Sequence, residues 1–189
     1  MGAMEPASPD AAESLYRLAW RREHEERDPA WAVEAYRAAA AVASPALAVD
    51  ALFRAGFVAQ GARRRAQAIA AYRECVALAR RLGAPSVAGL HATFRLGFHL
   101  EAEGRYLDAM SCYREVAGER GLLGLEASYR GLLCLAAVGQ LAEALAWSSG
   151  YADLADEARR QGHDTKALVE VIERERAELA HVLRLEAGA

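Results

Sequence analysis

The amino-acid sequence predicts an all-α fold built from repeated helix pairs. Apolar residues recur at steps of three and four along most of the 189 residues, which is the period of a helix buried on one face. No stretch shows the period-two alternation of a strand, and no hairpin dipeptide stands between β-branched runs. The same two-helix unit also recurs along the chain, so that the pairs are predicted to stack.

The predicted helices begin at residues that favour helix N-termini. Asp10 with Glu13 resembles a capping box and begins the first helix, and Asp28-Pro29 begins the second. Asp164 or Thr165 caps the last helix. In order, the predicted helices cover about residues 10–26, 29–43, 46–60, 65–82, two within 87–120, 125–138, 141–160 and 164–185.

Short breaks separate these helices. Gly150 is expected to weaken the middle of the helix at 141–160 without ending it. The breaks fall at Ser44-Pro45, Gly61, Gly83-Ala84-Pro85, Glu103-Gly104-Arg105, Gly121 with Gly124, Gly139 and Gly162.

The repeat is visible in both helices of each pair. The second helices align without gaps at residues 32–37 (AVEAYR), 68–73 (AIAAYR) and 109–114 (AMSCYR), with a weaker copy at 144–148. The first helices align at residues 16–20 (YRLAW), 53–57 (FRAGF), 94–98 (FRLGF) and 129–133 (YRGLL). The arginines of these first helices are 37, 41 and 35 residues apart.

The third copy carries a known repeat pattern at Leu96-Gly97, Leu100, Gly104, Tyr106, Ala109 and Tyr113. On these residues the chain resembles the tetratricopeptide repeat (TPR) family over about residues 11–161. The stretch from 79 to 109 is similar to the longer variant, of about 40 residues, found in bacterial regulators and adaptors. The resemblance implies a right-handed superhelix of about four TPR-like helix pairs, with first helices lining the concave face.

Three segments follow from this interpretation. Residues 1–9 are expected to be a loose lead that includes a cloning remnant, Met1-Gly2-Ala3. Residues 10–162 form the repeat array, and residues 163–189 a C-terminal capping helix and tail, because a terminal repeat needs a polar outer face. The alternative for the last helix is dimerisation. The small residues Gly56, Gly97, Ala68 and Ala109 are predicted to let helices approach closely, with Tyr36, Tyr72 and Tyr113 filling the space beside them.

A candidate partner-binding surface lies on the first helices. At 3.6 residues per turn, the residue after each leading aromatic lies about 100° round the helix, where it would point into the concave groove. That position is always arginine, and the set is Arg17, Arg54, Arg95 and Arg130, with His91 one turn before Arg95. The aromatics predicted to flank these arginines are Tyr16, Trp20, Phe53, Phe57, Phe94, Phe98 and Tyr129.

Two interpretations of these residues stay open. Guanidinium groups over aromatic walls suit an acidic or carboxylate-ended peptide, because arginine binds carboxylates bidentately and stacks on rings. Alternatively the aromatics form interhelical core, and the arginines are solvated or pair with Glu101, Glu103 or Glu126. Some TPR domains clamp a C-terminal carboxylate; by that resemblance Arg95 matches the clamp arginine, whereas Arg54 stands where asparagine is usual.

Composition and motifs exclude several other functions. A net charge of −3 disfavours nucleic-acid binding, and no apolar run approaches about 20 residues, so that no membrane span is expected. Three cysteines without a CxxC motif indicate reduced, buried thiols in a cytoplasmic protein. The sequence does not start with positive charges followed by an apolar run, so no secretory signal is expected. No metal, cofactor, phosphate-loop or nucleophile motif is present, so catalysis is not expected.

The sequence therefore predicts a cytoplasmic, non-catalytic adaptor that binds another protein or peptide, one of acidic character, in the concave groove. It is expected to be a monomer or a weak homodimer. The alternatives are a regulatory sensor of a small peptide or ligand and a self-assembling structural repeat protein.

Overall fold

The computed structural model describes residues 9–83 and 86–187, without the side chains of residues 9 and 10. The predicted lead before residue 9, the side chain of the predicted cap Asp10 and the Ala84-Pro85 part of a helix stop lie outside the described residues, although the backbone at Asp10 is already helical. Within them there are ten α-helices and no strand, which confirms the all-α class. The helices are α1 (Pro9–His24), α2 (Pro29–Val42), α3 (Pro45–Gly61), α4 (Arg65–Leu82), α5 (Val87–Glu101), α6 (Tyr106–Val116), α7 (Leu122–Ala137), α8 (Leu141–Trp147), α9 (Tyr151–Arg160) and α10 (Lys166–Ala187).

The chain divides into two compact units, residues 1–95 and 96–189. In the first unit each helix packs on the helix that follows it, from α1 through α4. In the second unit α7 packs on α6, α8 and α9, and α10 lies against all three of α7, α8 and α9. Sequence-adjacent helices therefore bury each other's apolar faces, as repeated helix pairs require.

The second helix begins as the sequence predicts. The Asp28 side chain accepts a hydrogen bond from the Trp31 backbone N–H at 3.1 Å, and Pro29 occupies the first helical turn. This satisfies one of the amide groups that a helix N-terminus leaves without an intrahelical partner. Because the first turn is held in this way, α2 starts immediately after the turn that ends α1.

A buried tyrosine of the second helix recurs in three pairs, and in two of them it packs against a glycine of the first helix. Tyr36, Tyr72 and Tyr113 are all fully buried. A Cβ atom added at Gly56 would lie 2.6 Å from the Tyr72 ring, and one at Gly97 would lie 2.9 Å from the Tyr113 ring. The predicted close approach is thus confirmed, and it depends on the absence of a side chain at the contact.

The turns inside the second, third and fourth pairs share one geometry. The backbone is left-handed at Arg63 (φ 58°), Gly104 (φ 74°) and Gly139 (φ 79°). The N–H of the next residue then donates to the carbonyl five residues back, at 2.8–3.0 Å in all three turns. The helix stop predicted at Gly61 is therefore misplaced, because α3 runs through Gly61 and Arg63 takes the left-handed position.

The prediction of one helix from 141 to 160 is wrong. The structure has α8 and α9 with a turn at residues 148–150 between them. Ser148 Oγ donates to the Ala144 carbonyl at 3.0 Å, and Arg176 Nη1 of α10 donates to the Leu145 carbonyl at 2.6 Å. The Ala144 carbonyl still accepts from the Ser148 backbone N–H at 3.2 Å, but the Ser149 N–H donates to Ala146 three residues back rather than to Leu145. Arg176 thus occupies the first carbonyl that a continuous helix would have used for its next backbone hydrogen bond.

The last helix packs on the end of the second unit. Ile172 is fully buried in a cluster with Leu125 of α7 and Ala155 of α9. Arg176 adds hydrogen bonds to the end of α8, and its guanidinium lies 5.6 Å from the Tyr151 ring centroid. The first half of α10 therefore covers apolar surface of the preceding helices.

Replacing Gly56 by alanine should destabilise the protein. The new methyl group would overlap the buried Tyr72 ring, and such overpacking costs about 1–3 kcal/mol, partly offset by about 1 kcal/mol of better helix propensity. Urea unfolding should show a net loss of up to about 2 kcal/mol. Gly61→Ala is the control, since nothing lies within 4 Å of the place that its new methyl group would take, and it should show no loss. Equal effects of both substitutions would contradict this account.

Replacing Arg63 by glycine should stabilise the protein. A left-handed backbone costs an L-residue about 1–2 kcal/mol, and glycine avoids that cost although it gains entropy in the unfolded chain. Thermal or urea unfolding should show a gain of about 0.5–1 kcal/mol. The neighbouring Arg64→Gly removes the same charge at φ −88°, so it should be neutral or destabilising. A gain in both variants would point to charge rather than backbone strain.

Candidate partner-binding surface

The predicted site residues lie on four helices, and each is the first helix of its pair. Three are on α1, three on α3, four on α5 and two on α7. The four arginines differ in their ion-pair partners. Two are ion-paired to a carboxylate of another helix, one to its own helix, and one has no ion pair in the described part of the chain.

In the first unit, Arg54 is bound to the end of the preceding first helix. Its Nη2 lies 3.5 Å from Glu23 Oε2, and the Tyr36 hydroxyl donates to the same oxygen at 2.8 Å. Burial by itself lowers the pKa of Arg54, but Glu23 together with the Tyr36 and Tyr16 hydroxyl groups outweighs burial, so that the pKa is raised overall. Burial and the hydrogen bond to Glu23 also raise the pKa of Tyr36. Arg54 therefore stays charged and already has a carboxylate partner.

The second unit repeats this arrangement with different residues. The Tyr113 hydroxyl donates to Glu101 Oε2 at 2.7 Å, and Arg130 Nη1 donates to Glu101 Oε1 at 3.0 Å. The Arg130 guanidinium lies 4.8 Å from the Phe98 ring centroid, within cation–π range. Burial and Glu101 raise the pKa of Tyr113. We call each such set of tyrosine, carboxylate and arginine a Tyr–Glu–Arg triad.

The middle copy lacks the carboxylate. Gln60 stands where Glu23 and Glu101 stand, and its Oε1 accepts from the Tyr72 hydroxyl at 3.0 Å. Burial raises the pKa of Tyr72, and the positive charge of nearby Arg95 opposes that rise. Over residues 9–83 and 86–187, Arg95 forms no ion pair. Its guanidinium is partly exposed and lacks the neutralising partner that Arg54 and Arg130 have.

Arg17 and Tyr16 differ from the later copies. The Arg17 side chain is 77% exposed and pairs with Glu13 on its own helix at 3.0 Å. Tyr16 donates to Asp50, and burial together with Asp50 raises its pKa. The Tyr16 and Tyr36 rings meet edge to face at 5.2 Å. Tyr16 is thus part of the packing between α1 and α2, whereas Arg17 is a solvated side chain.

The flanking aromatics divide into packed and exposed residues. Phe94 is 7% exposed, and Phe53 packs 6.2 Å from Tyr72 and 6.0 Å from His91, measured between ring centroids. Trp20 is 43% exposed and Phe57 is 41% exposed, although Trp20 stacks on His24 at 4.3 Å. Phe98 and Tyr129 are half-buried beside Arg130. The core interpretation therefore fits Phe94 and Phe53, and only Trp20 and Phe57 offer large apolar surface to solvent.

The residues that sequence reasoning missed are Glu23, Gln60 and Glu101. They stand 13, 12 and 12 residues before the tyrosines that they bind. Glu101 is among the acidic neighbours that the sequence offers for pairing, but its two counterparts are not. Aligning the ends of the first helices, as well as their starts, would have revealed this recurring position and the one glutamine in it.

Other chemistry has little support in the described part of the chain. Burial raises the pKa of the Cys75 and Cys134 thiols to about 12, so both are neutral and poorly nucleophilic at physiological pH. No group of three or more His, Cys, Asp or Glu side chains comes together there in a way that could hold a metal ion. None of the described helices combines the length and apolarity needed to cross a bilayer.

Comparison with known proteins identifies the fold. No family model matches the chain, and no curated protein matches it in sequence. A solved structure titled "MamA RS-1 ArsTM double mutant" is 17% identical, with 94% of this chain and 98% of that chain covered and a TM-score of 0.60. A putative kinesin light chain from Podosopora anserina, described as having nearly identical TPR-like repeats, is 16% identical over 98% of this chain and 92% of that chain, with a TM-score of 0.61. These likenesses show that the fold is that of a TPR-like helical repeat protein.

Replacing Glu101 by glutamine should destabilise the second unit. Tyr113 would keep an acceptor, as Tyr72 has in Gln60, but Arg130 would lose its carboxylate while still half-buried. We expect urea unfolding to show a loss of about 1–2 kcal/mol. Glu13→Gln is the matched control, because that pair with Arg17 is exposed and should contribute less than about 0.5 kcal/mol. If the two losses are the same, the triad does not stabilise the fold.

Proposed function

We propose that this TPR-like helical repeat protein is a non-catalytic interaction module that binds an acidic segment of a partner protein. The binding surface is the first-helix face of residues 9–95, and Arg95 is its cationic anchor. Trp20 and Phe57, on the first helices α1 and α3 of the same unit, supply apolar contact. Of the predicted partner-binding residues, these three are the ones that the proposal assigns to direct contact with the partner.

The absence of a carboxylate beside Arg95, among the described residues, is the observation that carries this proposal. Arg54 and Arg130 are each neutralised by a glutamate of the preceding first helix, at 3.5 and 3.0 Å. Gln60 occupies the same position beside Tyr72 and carries no charge. The described part of the chain thus holds one arginine of this set in a half-buried place without an internal counter-ion. An external carboxylate would supply the charge that Glu23 and Glu101 supply elsewhere.

Arginine at such a place favours a carboxylate over other ligands. The planar guanidinium presents paired N–H donors that match the two oxygens of Asp, Glu or a chain terminus. Partial burial weakens competition from water and salt, so the pair contributes more than an exposed one. An acidic segment therefore gains affinity at Arg95 that it would not gain at Arg17, which is 77% exposed and already paired.

Exposed apolar surface in the same unit supports a peptide rather than a small ion. Trp20 and Phe57 are both more than two-fifths exposed. A recess of about 310 Å³ beside Phe57 is lined also by Pro29, Val58 and Ala62. Aromatic side chains that are exposed and rigidly held are common at the centres of protein interfaces. The partner segment is accordingly expected to combine acidic residues with at least one apolar side chain.

The two alternatives predicted from sequence have different standing. A sensor of a small ligand has no specific observation in its favour, and it stays a prediction. Self-assembly rests on surfaces other than the Arg95 face, so it does not compete with partner binding.

The substitution Gln60→Glu tests the proposal without removing Arg95. It would complete a third Tyr–Glu–Arg triad, because Glu at this position would accept from Tyr72 and pair with Arg95. Peptides would first be selected on the wild-type protein from a random phage-displayed library, and their affinities measured by fluorescence anisotropy. We expect the selected peptides to be enriched in Asp and Glu. Their affinity for Gln60→Glu should fall by about tenfold or more, the effect of losing one partly buried charge pair.

A matched variant separates the site from overall charge. Arg73→Gln removes one positive charge from an exposed position on α4 and should change affinity by less than about twofold. Arg95→Gln should weaken binding as much as Gln60→Glu does. Peptides without acidic enrichment, or full affinity in Gln60→Glu, would refute the assignment of Arg95 as the anchor.

A further inference from the structure

A second surface of the first unit is an apolar groove between the two second helices, α2 and α4, with the start of α3 as its floor. Its volume is about 770 Å³. We call it the α2–α4 groove. Its apolar lining includes Ala40, Ala41, Ala48, Leu52, Ala77 and Leu78.

The α2–α4 groove has a defined charge at its rim. Arg37 Nη2 lies 2.7 Å from Glu74 Oε1, so that these two rim residues neutralise each other. Arg81 also lines the groove, is exposed and forms no ion pair in the described part of the chain. Leu82 beside it is 42% exposed. The groove therefore offers apolar surface next to one unneutralised positive charge.

The last helix carries a complementary surface. Along α10, residues 178, 182, 185 and 186 recur at three- and four-residue steps and so share one face. Val182 is 40% exposed and Leu185 is 61% exposed. Glu178 and Glu186 are exposed beside them, without ion pairs in the described residues. We call these four residues the α10 ridge, which is apolar at its centre and negative at both ends.

The two units carry net charges of opposite sign, as the groove and the ridge do. Residues 1–95 contain 13 basic and 10 acidic residues, giving +3, whereas residues 96–189 contain 10 basic and 16 acidic residues, giving −6. Opposite charges on separate units attract the first unit of one copy to the second unit of another. Like units repel each other, which disfavours contact between two α10 helices.

We propose that the α10 ridge of one copy docks in the α2–α4 groove of a second copy, giving head-to-tail self-association. Val182 and Leu185 would bury against the alanine and leucine lining, and one of the two ridge glutamates would face Arg81. The alanines of the groove let a helix approach closely, since they present only a methyl group. This association goes beyond the proposed partner binding and uses none of the residues around Arg95.

A contact between two different surfaces of the same protein can be distinguished from a symmetric dimer by how association continues. Each copy retains one free groove and one free ridge after pairing, so that association continues beyond a dimer unless the copies close into a ring. A variant blocked at the groove keeps its ridge, and a variant blocked at the ridge keeps its groove. The free ridge of the first can therefore dock in the free groove of the second, which gives one dimer. No symmetric contact between two identical surfaces behaves in this way.

The test uses two single substitutions at exposed positions of the full chain. Ala77→Glu blocks the groove, and Leu185→Glu blocks the ridge; both side chains are solvent-exposed, and circular dichroism would check that helix content is unchanged. Sedimentation velocity of the wild type should show mass that rises with concentration between about 10 µM and about 1 mM, the range of weak association. Each variant alone should stay monomeric. Their equimolar mixture should form a one-to-one dimer and nothing larger.

A third variant separates the groove from the effect of added charge. Ala38→Glu adds the same charge at an exposed residue of α2 that does not line the groove, and it should associate like the wild type. Raising the salt concentration should weaken wild-type association, because the ridge and Arg81 attract through solvent. A wild type that is monomeric throughout overturns the proposal. So does self-association of Ala77→Glu alone, with no dimer between the two variants in their mixture, since that pattern indicates symmetric pairing through α10. None of these outcomes bears on peptide binding at Arg95.

Discussion

Three of the helix pairs depend on the contact between one aromatic ring of the second helix and one glycine of the first. Gly56 and Gly97 leave room for the Tyr72 and Tyr113 rings, and Gly131 leaves room for Trp147, whose Nε1 would lie 2.2 Å from an added Cβ. Because the tyrosine rings fill these places completely, their hydroxyl groups reach the far ends of the first helices. There they need hydrogen-bond acceptors, since a buried hydroxyl without a partner costs free energy.

The need to satisfy these hydroxyl groups explains the polar residues at the ends of the first helices. A carboxylate there would be destabilising alone, and in two copies the arginine of the next first helix neutralises it. In the middle copy a neutral amide satisfies Tyr72 equally well and leaves Arg95 without a counter-ion among the described residues. Gln60 therefore preserves packing while changing charge, a combination expected where a surface is used for binding rather than for stability.

The second unit ends differently from the regular repeat. Breaking the helix at residues 148–150 lets α9 and α10 enclose Leu125 together, so that the last apolar surface of α7 is covered from two sides. The first half of α10 is used in this packing, and its second half still carries Val182 and Leu185 at the surface. The proposed association would thus use a different half of α10 from the half that caps α7.

The sequence alone determined the helices, the fourfold repeat and the small-to-aromatic contacts, because all three are encoded by local spacing and residue size. It identified the four arginines as a set, yet it could not tell which of them are neutralised, because the neutralising carboxylates lie on another helix. Glu23 and Glu101 lie 31 and 29 residues from the arginines that they neutralise. It also misplaced the turn at Arg63 and missed the break in 141–160, where backbone geometry and side-chain hydrogen bonds overrode propensity. Only the tertiary structure decided which arginine of the described chain is left unneutralised, because ion pairing follows distance in space rather than along the chain.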